Sequence, residues 1–139
     1  MDLGLAGKVA LVTGSWRGTG AGIAELLGRE GCRVLVHGLE PGQNEAVLEK
    51  LVGLGLEATG VCGDITHDAG ADELADAALA AAGSVDILVN NYGVAEPGDW
   101  TSTPSAEWVG IYQKNVLSGV RLVQALAPGM RERGWGRII

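Results

Sequence analysis

Basic residues are few in this sequence: ten lysines and arginines stand against seventeen aspartates and glutamates, a net charge of -7 at a sequence pI near 4.7. Phosphate backbones and anionic membranes require a basic surface, so neither nucleic acid nor membrane is an expected partner. Cysteine occurs only twice, at Cys32 and Cys62, each inside or beside an apolar run. That reads as two buried free thiols in a reducing compartment, with no disulfide framework. Histidine is equally scarce, and His37 and His67 are too isolated for a metal site, so each reads as a turn or surface residue. No stretch approaches the ~20 apolar residues of a membrane span. The N-terminus "MDLGLAGKVALVTG" carries Asp2 and an apolar run too short for a secretion signal, which makes the cytoplasm the expected location.

Glycine, by contrast, is abundant at 23 of 139 residues, without a G-X-Y period and with only four prolines, so the glycines are expected in turns and close contacts. Apolar residues at 47% and charged residues at 19% lie in the globular range. The length fits one compact domain spanning residues 1–139.

Apolar runs alternate with helical spacing along the chain. Lys8 to Thr13 and Arg33 to His37 read as buried strands, and between them Ile23, Leu26, Leu27 and Glu30 keep a helical period that ends at Gly31. Gln43 to Leu54 follows as helix, Glu57 to Cys62 as a weaker strand, Ala69 to Ala82 as an alanine-rich helix and Val85 to Asn91 as a strand. After a polar loop, Thr103 and Pro104 open a long helix to about Arg133, with one apolar stripe through Trp108, Ile111, Tyr112, Val116, Val120, Val123 and Leu126 and with Pro128 bending or shortening its last turns. Parallel neighbours need crossovers, so this alternation predicts a doubly wound parallel sheet in three α/β/α layers. "GWGRII" at the end reads as the start of a fifth strand, and the expectation is a domain that is C-terminally incomplete, with a sheet edge and a helix face left uncovered.

"TGSWRGTG", Thr13 to Gly20, joins the first strand to the first helix. Gly14 permits a sharp turn, Gly18 lets backbone amides approach a pyrophosphate, and Gly20 allows tight helix–strand packing, while the helix N-terminus adds partial positive charge. In that position the turn is a dinucleotide fingerprint of a Rossmann-type domain.

The spacing T-G-x-x-x-G-x-G, together with "NNYG" at Asn90 to Gly93, Asp64 in "GDIT" and Asn115 in "KNVLSG", resembles the N-terminal portion of the short-chain dehydrogenase/reductase family. The resemblance implies hydride transfer between a nicotinamide cofactor and a small alcohol or carbonyl substrate. It implies that Gly14, Ser15, Arg17, Gly18, Thr19 and Gly20 hold the cofactor phosphates, that Asp64 and Ile65 read the adenine, and that Asn91, Tyr92 and Gly93 line a ribose, with Asn90 tying neighbouring strands together. Tyr92 stands where the family has alanine, so its ring either points away from the cofactor or crowds it. Trp16 is also bulky, and harmless if it faces solvent. Gly38 occupies a position that is acidic in many NAD-selective members, and Arg17 one that is often basic in NADP-dependent members, which favours NADP over NAD. Against NADP, Leu39 replaces an arginine often found after that glycine, and Glu40, 20 residues past Gly20, could reach a ribose, although a cap or solvated role is favoured for it.

Asn115 is the one member of the family's catalytic Asn-Ser-Tyr-Lys set that can be placed, as a buried polar residue holding a water on a proton relay. The acid/base tyrosine is not found: Tyr92 and Tyr112 are followed four residues on by Glu96 and Val116, where the family has lysine. Three readings stay open: the cofactor-binding half of an NAD(P)-dependent oxidoreductase, which is favoured; a noncatalytic nucleotide-binding module; and a subunit-interaction module. A homo-oligomer through the helix at 104–133 is the expected assembly, and the substrate is not legible.

Overall fold

The computed structural model describes residues 1–139, and its strands and helices alternate as the periodicity predicts. Strands β1 (Val9–Val12), β2 (Arg33–Gly38), β3 (Ala58–Cys62), β4 (Ile87–Val89) and β5 (Arg137–Ile138) form one sheet in the order β3-β2-β1-β4-β5. Every pairing is parallel, with Leu11 opposite Leu35 on one side and Leu88 on the other. Helices α1 (Gly18–Arg29), α2 (Glu45–Gly53) and α3 (Asp68–Ala82) make the first three crossovers. The fourth consists of α4 (Ser105–Tyr112), a π-helical turn (Gln113–Leu117) and α5 (Ser118–Glu132).

Period-two alternation in the strands divides the core between the two faces of the sheet. Val9, Leu11, Leu35 and Leu88 point to the side covered by Leu74, Ala75 and Ala78 of α3 and by Leu122, Leu126 and Met130 of α5. Ala10, Val12, Val34, Val36, Ile87 and Val89 point to the side where Ala24 of α1 and Leu51 of α2 pack. Leu11, Leu35 and Leu88 are fully buried, and each such side chain contributes roughly 1.5–3 kcal/mol relative to exposure. This is the expected three-layer α/β/α arrangement.

The long helix departs from expectation in two respects. Its inward face is Ser118, Leu122, Leu126 and Met130, whereas Trp108, Tyr112, Val116 and Val120 of the expected stripe are 41–54% exposed. The stripe thus combined two faces, and the sheet covers only one of them. Second, the helix contains the π-turn, because the Asn115 side chain donates to the Ile111 carbonyl at 3.1 Å and so enters the backbone ladder. As expected, α5 ends near Arg133, at Glu132, with Pro128 inside it. Pro128 and Gln124 are both on the exposed side, where a carbonyl without a helical partner can be hydrated.

No helix is long and apolar enough to cross a membrane. The cysteines are both free; Cys32 is buried and Cys62 only half-buried.

Candidate functional site

The chain runs from β1 outward through β2 to β3 and then returns to place β4 on the other flank of β1, which opens a crevice at the carboxyl ends of β1 and β4. Gly14 turns the chain there at φ +65°, and a Cβ on it would lie 3.1 Å from Tyr92 Cα. At Gly20 a Cβ would meet Gly14 O at 2.5 Å and Asn91 Nδ2 at 2.6 Å, so α1 starts pressed against the turn. Gly18, at φ +54°, has nothing within 4 Å of the Cβ position and leaves its side of the turn open.

The start of α1 is uncapped. Arg17 is extended with no side-chain cap, the first turn carries no acidic residue, and the first intrahelical bond runs from Ala21 N to Arg17 O at 3.2 Å. The amides of Gly18, Thr19 and Gly20 therefore have no protein acceptor, and the helix dipole adds to their positive potential.

A cavity of about 440 Å³ opens before these amides. Its walls are Gly14 and Trp16 to Gly20, the β2–α2 corner at Leu39 and Gln43, and Asn91 to Val94. Arg17 is the one charged residue in the lining. The corner is fixed by Gln43, whose Oε1 accepts from Leu39 N at 2.7 Å. The third wall is fixed to the first: Asn91 Nδ2 donates to Thr13 O at 2.9 Å, and Tyr92 N donates to Thr13 Oγ1 at 2.9 Å. Asn91, not Asn90, thus ties the strand ends through its side chain. Asn90 Oδ1 is buried without a partner.

Of the residues singled out in the sequence, Gly14, Arg17, Gly18, Thr19, Gly20, Asn91, Tyr92 and Gly93 meet around this cavity. Ser15 lies beneath the turn, fully buried, donating to Val12 O at 2.7 Å and accepting from His37 N at 2.8 Å. Gly38 is buried behind Gln43, whose Cβ is 3.2 Å from where a Gly38 Cβ would be. Asp64 and Ile65 fall outside the lining. The Asp64 carboxylate accepts from Thr66 N at 3.0 Å and Thr66 Oγ1 at 2.7 Å and pairs with His67 at 3.4 Å, while the Ile65 side chain is buried in the core. Burial opposes ionisation of Asp64, but the Thr66 bonds and the nearby histidines hold its carboxyl below the usual value.

Tyr92 both lines the cavity and packs on the core, and its ring centroid lies 6.0 Å from that of Trp16. Burial, with Asp64 nearby, pushes its phenol above the ordinary value. Trp16 is half-buried and does not stand free in solvent; its ring meets His37 edge-on at 6.1 Å. His37 is fully buried in β2, against the expectation of a turn or surface residue, whereas His67 is the exposed cap of α3, accepting from Gly70 N at 3.2 Å. The sequence reading missed Leu39, Gln43 and Val94 as lining residues; "EPGQ" before α2 marks a tight corner but does not say which side chain turns inward.

Asn115 is exposed, not buried. Its Oδ1 accepts from Val94 N at 2.8 Å and its Nδ2 donates to Val94 O at 3.0 Å, so it anchors the cavity's third wall without lining it.

Comparison with known proteins places these features in one lineage. The family model described as short chain dehydrogenase matches residues 8–139. An uncharacterized oxidoreductase of Bacillus subtilis (strain 168) is 37% identical over 139 residues, which are 100% of this chain and 52% of that protein. The crystal structure of a metagenomic short-chain oxidoreductase in complex with NADP superposes with a TM-score of 0.89 at 37% identity, covering 96% of this chain and 61% of the other. A 7α-hydroxysteroid dehydrogenase complexed with NADH and 7-oxo glycochenodeoxycholic acid superposes with a TM-score of 0.90 at 36% identity, covering 96% of this chain and 52% of the other. The chain spans about half the length of the curated relatives it matches. A parallel Rossmann-type sheet, the glycine-rich turn on its first strand and this match over residues 8–139 agree: the chain belongs to the short-chain dehydrogenase family.

Proposed function

We propose that residues 1–139 form the dinucleotide-binding domain of an NAD(P)-dependent oxidoreductase, which transfers hydride between nicotinamide and a small alcohol or carbonyl substrate. The observation that carries this reading is the set of unpartnered amides at Gly18, Thr19 and Gly20 facing a cavity whose only charged residue is Arg17. Such a cradle fits a pyrophosphate, and Gly18 leaves the space that a Cβ would take.

The cofactor, when bound, supplies the hydride acceptor or donor. The chain's own residues bind and orient it. Gly14 and Gly20 shape the turn, the Gly18 and Thr19 amides and Arg17 hold phosphate, and Ser15 supports the turn from below. Asn91, Tyr92 and Gly93 border a ribose. Asp64 and Ile65, just past the end of β3, would serve the adenine side, Asp64 through the carboxylate oxygen that Thr66 leaves free and that lies 3.4 Å from His67 Nε2, and Ile65 through its amide. Asn115 acts at one remove, by holding Val94 in place. Tyr92 has Glu96 rather than lysine four residues on and is not assigned the acid/base role.

NADP is favoured over NAD. Arg17 offers a charge to a 2′-phosphate, Gly38 brings no carboxylate to the ribose, and Glu40 lies outside the lining. One related structure holds NADP and another NADH, so the preference is read from these residues. A cytoplasmic location and a homo-oligomer joined through the exposed face of the helix at 104–133 complete the reading.

Calorimetric titration of the full chain with NADPH and NADH tests it. NADPH should bind roughly tenfold more tightly, the worth of one charge-assisted bond, and Arg17→Ala should remove the difference. Absence of binding by either nucleotide would sink the proposal.

A further inference from the structure

His37 is the one fully buried ionisable side chain in this protein, and its place is unusual. It sits near the end of β2, on the face shared with Leu35, between the turn that follows β1 and the loop that follows β3. Nδ1 accepts from Gly14 N at 2.9 Å, and Nε2 lies 2.9 Å from Gly63 O. An amide can only donate and a carbonyl can only accept, so the ring is neutral, with its proton on Nε2. His37's own backbone N donates to Ser15 Oγ at 2.8 Å, and Trp16 closes over the ring edge. One residue thus joins the ends of three adjacent strands.

Both of its partners are closely packed glycines, Gly14 in the cavity wall and Gly63 outside it. Gly14 is the first residue of the phosphate turn and is already in contact range of Tyr92. Gly63 directly precedes Asp64, and a Cβ there would meet Gly70 O at 2.4 Å, so this loop cannot shift toward α3. The imidazole therefore fixes the distance between the turn and the adenine-side loop from below.

We infer that His37 is a positioning residue of the nucleotide site, a rigid two-bond spacer that holds the Gly14 turn and the Gly63–Asp64 loop at the separation a dinucleotide requires. The inference rests on the cofactor reading above. His37 touches neither the cavity nor any ligand in it, so its effect is on the preorganisation of the amides. An apolar residue of similar volume would fill the core and leave Gly14 N and Gly63 O unpaired, free to rotate toward new partners.

The test uses the full chain with His37→Leu and His37→Asn, binding of NADPH measured by calorimetry well below each variant's melting temperature, and amide exchange at Gly14 followed by NMR. The expected result is roughly tenfold weaker binding for His37→Leu with faster Gly14 exchange, and partial recovery of both in His37→Asn, whose side-chain oxygen can accept from Gly14. A folded His37→Leu that binds NADPH as tightly as the native chain overturns the inference and leaves the cofactor reading intact. A native chain that binds no dinucleotide overturns the cofactor reading and this inference with it.

Discussion

Asn115 and Val94 are joined by a closed pair of hydrogen bonds, Val94 N to Asn115 Oδ1 at 2.8 Å and Asn115 Nδ2 to Val94 O at 3.0 Å. A side-chain amide here imitates a strand neighbour for a loop that has none. The same Nδ2 donates to Ile111 O, so one residue both opens the helix into a π-turn and ties it to the cavity wall.

Asn115→Ala should therefore release the segment from Gly93 onward. The expected cost is about 1–2 kcal/mol in a urea unfolding curve, with faster amide exchange at Val94. Unchanged exchange at Val94 would show that the wall is held by something else.

Three glycines around the turn should respond differently to alanine. Gly20→Ala forces a Cβ to 2.5 Å from a backbone oxygen and should cost about 2–4 kcal/mol. Gly18→Ala has open space but a left-handed φ, worth about 1–2 kcal/mol. Gly22→Ala lies inside α1 with nothing within 4 Å and should stabilise by about 1 kcal/mol. Thermal or chemical melts rank the three, and a neutral Gly20→Ala would contradict the packing described.

Tyr92→Ala restores the family's residue. Removing a ring packed against the core and Trp16 should lower stability by about 2 kcal/mol while widening the cavity, so NADPH affinity rises as the melting temperature falls. Weaker binding would mean that the ring contributes to the nucleotide site.

Burial pushes the His37 imidazole down to about 4 from 6.5, against smaller opposing effects of the Gly63 carbonyl and Asp64. Between these values the unfolded chain takes up a proton that the folded one refuses, so stability is full above pH 6.5 and falls as pH drops toward 4. The loss approaches about 3 kcal/mol at ~1.4 kcal/mol per unit. Denaturation midpoints at pH 7 and 4.5 should differ less in His37→Leu than in the native chain, and equal differences would remove His37 as the cause.

The apolar face exposed along α4, the π-turn and α5, with Tyr112 and Val116 at 54% and 42% exposure, should govern the proposed assembly. Val116→Glu should convert the oligomer to monomer in light scattering while leaving the circular dichroism unchanged. A native chain already monomeric would refute the interface.

The order of strands and helices was legible in the sequence, because the short β-rich apolar runs that became Val9–Val12 and Arg33–Gly38 end at glycines and alternate with helical spacing. The glycine spacing from Thr13 to Gly20 determined the turn as well, since only glycine accepts φ +65° at position 14 or the 2.5 Å approach at position 20. These are local constraints, written in single residues. Which face of a helix meets the sheet, and which ring nitrogen meets which strand end, are relations between segments far apart in the chain. Hence Trp108 to Leu126 read as one stripe although Trp108 and Val116 face outward, and His37, at the end of a strand, read as a turn or surface residue although it is a buried strut. Asp64 lies outside the cavity lining with Thr66 and His67 as its partners, a relation that "GDIT" did not reveal. Only the assembled sheet, by bringing Gly14, His37 and Gly63 together at the ends of adjacent strands, decided those partners.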